Sequence, residues 1–136
     1  MIPRIISVRQ PWAWAITVPP AKVRKTIENR SWSTNYRGPI LIHAGLQPRR
    51  QPEIREFIEF LVEKPIPDPL PLGGIVGRAN LVEVITKSKD PWFQGKFGFV
   101  LEGAKPVPFV PCKGRLGIYY PDADLIKELR KKRIIS

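Results

Sequence analysis

The sequence predicts a mixed α+β domain, mainly β: a small antiparallel barrel with two or three peripheral helices. Three observations lead there. About six or seven short apolar runs of strand type are scattered along the chain, while only two or three segments carry helical periodicity. The strands and helices do not alternate as β-α-β units, so a doubly wound sheet is excluded. The 136 residues contain no internal repeat and no second domain, so they form one domain over 1–136 that buries roughly two-thirds of its unfolded surface. A barrel is the economical closure for so many short strands.

Ile2 to Val8 reads as the first strand. Pro11 then opens a short helix at its first position, where a missing N–H does no harm, and Pro19-Pro20 stops it. Lys25 to Ser33 alternates as a strand, and Arg37-Gly38-Pro39 turns the chain into the apolar strand Ile40 to Ala44. From Pro52 to Glu63, Ile54, Phe57, Ile58 and Leu61 recur at helical spacing, with Glu53 and Glu56 at the end that favours acids. The alternating prolines of 65–71 form a stiff extended loop. Gly73-Gly74 opens a long strand to Ile85 in which Gly77 marks a bulge or bend. Phe97 to Leu101, Val107 to Val110 and Leu116 to Tyr120 are three more strands. Asp122 caps a basic C-terminal helix from about Ala123 to Lys132.

Charge is distributed unevenly. Arg4, Arg9, Lys22, Arg24, Lys25, Arg30, Arg37, Arg49 and Arg50 lie in the first fifty residues beside a single acid, Glu28. That stretch alone carries +8 of the chain's +11. Such a field attracts polyanions, and nucleic acid, RNA ahead of DNA, is the expected partner. No basic amphipathic helix with a broad apolar face appears and no apolar run reaches membrane-spanning length, so no membrane partner is expected. Nothing indicates a protein partner, although the proline-rich loop and Trp92 leave one open. Cys112 stands alone, and the N-terminus lacks the apolar core of a secretion signal, which together read as cytoplasmic. No cofactor motif and no metal-spaced His/Cys cluster is present, so neither is expected.

The candidate site centres on Glu28. On a strand, Thr26, Glu28, Arg30 and Trp32 share one face while Ile27 points oppositely, toward the core. Lys25 joins Glu28 only if the strand starts after it, leaving Lys25 in a turn at the rim. A cluster of Lys25, Glu28 and Arg30 at the barrel mouth would let Arg30 orient the carboxylate and leave cations for phosphate. An ordinary ion pair on an exposed strand is the plain alternative. Trp32 is the better base-stacking candidate, whereas Trp12 and Trp14 read as packing residues of the first helix. His43 has no metal partner and reads first as a structural histidine, but on a neighbouring strand it could reach the same mouth. Arg9 sits beside a helix start able to receive phosphate, and Arg37 is a loop cation of similar kind.

Ser7-Val8-Arg9-Gln10-Pro11-Trp12-Ala13, Lys25-Thr26-Ile27-Glu28-Asn29-Arg30-Ser31-Trp32, Tyr36-Arg37-Gly38 and Ile42-His43-Ala44 together resemble an ASCH domain, a family of the PUA-like barrel superfold. The family signature Gly-x-Lys-x-x-Glu-x-Arg is matched by Lys25, Glu28 and Arg30, with Val23 in place of its glycine. The resemblance spans about 5–120, with the helix 122–133 beyond it. It implies two functions. One is a nucleic-acid-binding module in which Glu28 reads a base while Arg9, Lys25, Arg30 and Arg37 hold phosphates, with Trp32 and His43 at the same mouth. The other is a small hydrolase, an amidohydrolase on acylated cytidine or a nuclease, in which Lys25 activates water and Glu28 does acid/base work. The amidohydrolase branch has threonine where this chain has Glu28, which counts against that substrate.

Overall fold

The computed structural model describes residues 1–136. Six strands form one strongly curled sheet: β1 (Arg4–Val8), β2 (Ile27–Arg30), β3 (Gly38–Ala44), β4 (Gly74–Ile85), β5 (Phe97–Pro111) and β6 (Ile118–Tyr119). Their spatial order is β2-β5-β4-β3-β1-β6. Three helices accompany them, α1 (Trp12–Thr17), α2 (Pro52–Val62) and α3 (Ala123–Lys131). The mainly β fold with peripheral helices is as expected, and the expected small barrel takes the form of a curled six-stranded half-barrel.

All neighbouring pairs are antiparallel except β1 and β3, which run parallel with Ser7 opposite His43. The reason lies in the connection. Between them the chain must travel through α1 and β2, and a parallel pair needs such a long crossover. Alternation along these two strands then sorts the core. Ile6, Val8, Ile40, Ile42 and Ala44 face α1 on one side of the sheet, while Ile5 and Leu41 face Leu129 of α3 on the other.

Gly77 is a bulge site as its sequence context suggested, with the β4 register shifting between Ile75 and Gly77. Its backbone lies so close to α1 that a β-carbon there would strike the Thr17 methyl. The segments Phe97 to Leu101 and Val107 to Val110 are not separate strands but parts of β5. Gly103, at φ 62°, and the register shifts against β4 absorb the bend without breaking the ladder. β6 is shorter than expected because Gly117 takes φ 72° and leaves Leu116 in solvent.

α2 buries the face its spacing predicted: Ile58 is fully buried against Trp14, Ala15, Ile27 and Trp92, with Ile54, Phe57 and Leu61 packed alongside. Pro11 precedes α1 as its N-cap rather than occupying the first helical position. Asp122 caps α3 by accepting from the Leu125 amide at 2.8 Å.

Candidate functional site

β2 begins only at Ile27, so Lys25 stands outside the strand and its side chain folds back to Glu28. The Lys25 amide donates to the Ala15 carbonyl at 2.7 Å, which fixes the turn under α1. Lys25 Nζ donates to Glu28 Oε1 at 2.9 Å and to the Ile27 carbonyl. Arg30, two residues along the same strand face, donates to Glu28 Oε2 from Nε at 3.1 Å and from Nη2 at 2.8 Å. The three form a single network.

Its burial exceeds what a rim position implies. Lys25 is 2 % exposed and Glu28 8 %, so Lys25 lies beneath the site with no surface left for a phosphate. Burial works against the charge on Glu28, but Lys25 and Arg30 outweigh it and hold the carboxyl below the usual carboxylate range. Burial pulls the Lys25 ammonium below the usual lysine value, with Glu28 opposing. Two charge-assisted donors on one carboxylate are strong, geometrically specific contacts. A carboxylate offers about four acceptor positions, and three are used, which leaves about one for a ligand.

Arg30 does a second thing. Its Nη2 donates to the Ser7 carbonyl at 2.7 Å. β2 and β1 are separated in the sheet by three strands, so this bond crosses the gap where the curled sheet approaches itself without strand pairing. Arg30 Nη1 makes no hydrogen bond within the protein. Aromatic rings flank the network. Lys25 Nζ lies 5.5 Å from the Trp12 ring centre, and Arg30 lies 6.0 Å from that of Trp32. Trp32 meets Phe99 edge-on at 5.2 Å and stays partly exposed.

The remaining candidates lie elsewhere. His43 is on the α3 side of the sheet, opposite the Glu28 face, because it alternates with the inward Ile42 and Ala44. There it is 2 % exposed, with Nε2 2.8 Å from the Cys112 carbonyl and Nδ1 3.3 Å from Ser7 Oγ. It is a satisfied structural histidine. Arg9 is exposed and donates to the Gln47 carbonyl. The helix start beside it is already occupied, since Gln10 Oε1 accepts from the Trp14 amide at 2.8 Å, and α1 has only six residues. Arg37 is exposed and bound to the carbonyls of Thr34 and Tyr36 in its own loop.

Three contributions escaped the sequence reading. Trp12 is not packing alone: it covers Lys25 and meets Phe57 of α2 at 6.3 Å. The Ser7 carbonyl receives Arg30, a backbone role with no sequence signal. Asn29, on the face of β2 opposite Glu28, donates to the Trp92 carbonyl and accepts from the Gln94 and Gly95 amides at 2.9 and 3.0 Å. Gly95, whose added β-carbon would lie 2.8 Å from that of Asn29, was the available hint. No three His, Cys, Asp or Glu side chains come together to hold a metal ion, and no helix is long and apolar enough to cross a membrane.

The fold and its pieces have known counterparts. A crystal structure of a ZmASCH mutant protein from Zymomonas mobilis superposes with a TM-score of 0.56 at 14 % identity, covering 96 % of this chain and 98 % of that one. At such identity the likeness concerns the fold. No curated protein matches the chain. The ASCH domain model matches residues 6–107, a stretch that contains the end of β1, all of β2 to β4, the Lys25, Glu28 and Arg30 network and most of β5, and the chain belongs to the ASCH domain family.

Proposed function

We propose that this domain binds nucleic acid, RNA in preference to DNA, and presents Glu28 as the group that selects a base. The observation behind this is the carboxylate itself: ionised, 8 % exposed, clamped on both oxygens by Lys25 and Arg30, and with about one acceptor position unspent. A fixed, nearly buried acceptor would discriminate amino and imino donors, because a base lacking one leaves the acceptor buried and unpaired. Trp32 beside Arg30 offers a stacking surface, and the basic excess of the N-terminal half supplies attraction that does not depend on sequence. Lys25 acts from below as a positioning residue.

Binding of homopolymeric and mixed short RNAs by wild type and Glu28→Gln at several salt concentrations tests this. Base preference should change in Glu28→Gln while the salt slope stays the same. A lost slope with unaltered preference sinks the proposal.

A second reading rests on the same lysine. A buried ammonium held below its usual pKa beside a carboxylate is the arrangement found at many proton-transfer sites. Incubation with N4-acetylcytidine and with short RNAs is the check, and product that disappears in Lys25→Ala would make the domain a hydrolase. Against it stands the 2 % exposure of Lys25, which keeps substrate from touching it in this conformation.

A further inference from the structure

Beyond the N-terminal end of α1, the structure contains a cavity of about 340 Å³ that the Glu28 site does not use. Its floor is Gln10 and Pro11, its walls are the segment 48–52 and the proline-rich loop 67–70, and Arg55 of α2 closes one side. Arg49, Arg50 and Arg55 all line it, against one acid, Asp68. The proline rings leave little freedom in the walls.

The arginines are only partly engaged by the protein. Arg50 is exposed and makes no ion pair or side-chain hydrogen bond. Arg49 Nε meets only the neutral Gln51 Oε1 at 3.3 Å. Arg55 donates to the Ile66 carbonyl from Nη1 at 3.2 Å and stands 3.7 Å from Glu59, a long and half-exposed pair. Three arginines lining an open, stiff-walled hollow suit the tetrahedral oxygens of a phosphate. The size also suits more than a bare ion, since pockets for small organic ligands begin at about 300 Å³.

The position gives the cavity a meaning. Pro11 lines it, and the next residue, Trp12, covers Lys25 of the Glu28 network, so the two sites flank the same end of α1. Exposed Arg9, bound to Gln47 beside Pro48, lies along the same ridge. We infer that the hollow formed by Arg49, Arg50 and Arg55 is a phosphate subsite, taking one phosphodiester or terminal phosphomonoester of a strand whose selected base lies at Glu28. The inference rests on the proposed nucleic-acid function for the origin of that phosphate, though not for the subsite's chemistry.

The test uses the full chain, wild type and the double variant Arg49→Gln/Arg50→Gln, in which Arg50 is exposed and Arg49 partly exposed. Each is titrated with a short single-stranded RNA, with and without a 5′-phosphate, at several salt concentrations. Each is also titrated with inorganic phosphate while the backbone amide resonances of residues 48–55 are followed. The expected result is RNA binding about tenfold weaker in the double variant, as for loss of one charge-assisted contact, with a salt slope shallower by about 0.7. Inorganic phosphate should shift those amides in wild type and not in the variant. A loss confined to the 5′-phosphorylated strand assigns the subsite to a strand end; an equal loss for both strands assigns it to an internal phosphodiester. Unchanged affinity and slope in the variant overturn the subsite while leaving the Glu28 reading intact. A wild type that binds no RNA, yet responds to inorganic phosphate at 48–55, supports the subsite and defeats the RNA reading. No amide response in wild type to either ligand overturns the subsite.

Discussion

Two groups of charges flank α1, and they have been treated in opposite ways. Lys25, Glu28 and Arg30 are drawn into the protein, with both Glu28 oxygens occupied and Lys25 sealed beneath Trp12. Arg49, Arg50 and Arg55 are left at the surface around a hollow, with one acid among the lining residues. A buried network has little attraction to offer at long range but holds its geometry, so it can discriminate. Surface arginines discriminate poorly but act through solvent over roughly a Debye length, about 8 Å at physiological salt. On the proposed function, selectivity and affinity would thus reside in different places.

The largest effect should come from breaking the buried group. Glu28→Ala leaves Lys25 and Arg30 without their shared counter-ion, and chemical denaturation should show a loss of about 3–5 kcal/mol. An unfolding midpoint close to wild type would show the network to be a surface pair in practice. The same asymmetry should appear in acid. Because the folded protein holds the Glu28 carboxyl below its ordinary range, its contribution is fully present above the unfolded pKa and is lost as pH falls through the folded one. Stability measured from neutrality downward should therefore decline through and below the carboxylate range in wild type, and less steeply in Glu28→Gln.

A smaller perturbation separates the two faces of the sheet. A β-carbon at Gly114 would lie 2.7 Å from His43 Cε1 and 2.8 Å from Ser7 Oγ. Gly114→Ala should cost about 1–3 kcal/mol in thermal or chemical unfolding. Ligand preference should survive it, since the crowded side chains lie on the reverse face; a changed preference would implicate His43 or the Ser7 carbonyl that holds Arg30. The smallest stability effect belongs to the open arginines. Arg50→Gln should alter unfolding free energy by less than about 0.5 kcal/mol, as for an unpaired surface residue. A loss well above that would mean Arg50 is engaged in the fold.

The parts of this molecule legible in its sequence are those governed by local period. Ile54, Phe57, Ile58 and Leu61 announced α2, and the two-residue spacing of Glu28 and Arg30 placed them on one face opposite Ile27. The Lys25 contact was readable as a condition on where β2 starts. What stayed hidden was set by partners far along the chain. His43 could not be assigned a face without knowing that β1 pairs parallel with β3 and that the β3–β4 register shifts beside it. The burial of Lys25 depends on Trp12 folding over it. Val107 to Val110 looked detached because a bend at Gly103 resembles a turn until β4 is seen to follow it. Arg49 and Arg50 registered only as charge and Arg55 not at all, since their hollow exists only once the chain at 65–71 returns beside α2.

β2 has four residues, and its alternating side chains serve unrelated ends. Glu28 and Arg30 make the buried network on one side, while Asn29 on the other holds the chain at 92–95. Adding or deleting one residue within Ile27–Arg30 would reverse both assignments together, placing an amide beside Lys25 and a carboxylate against Gln94 and Gly95. Length in this strand is therefore not a variable open to gradual change. New ligand preferences can enter by replacing a side chain in place or by remodelling the loops around it, but not by sliding the strand.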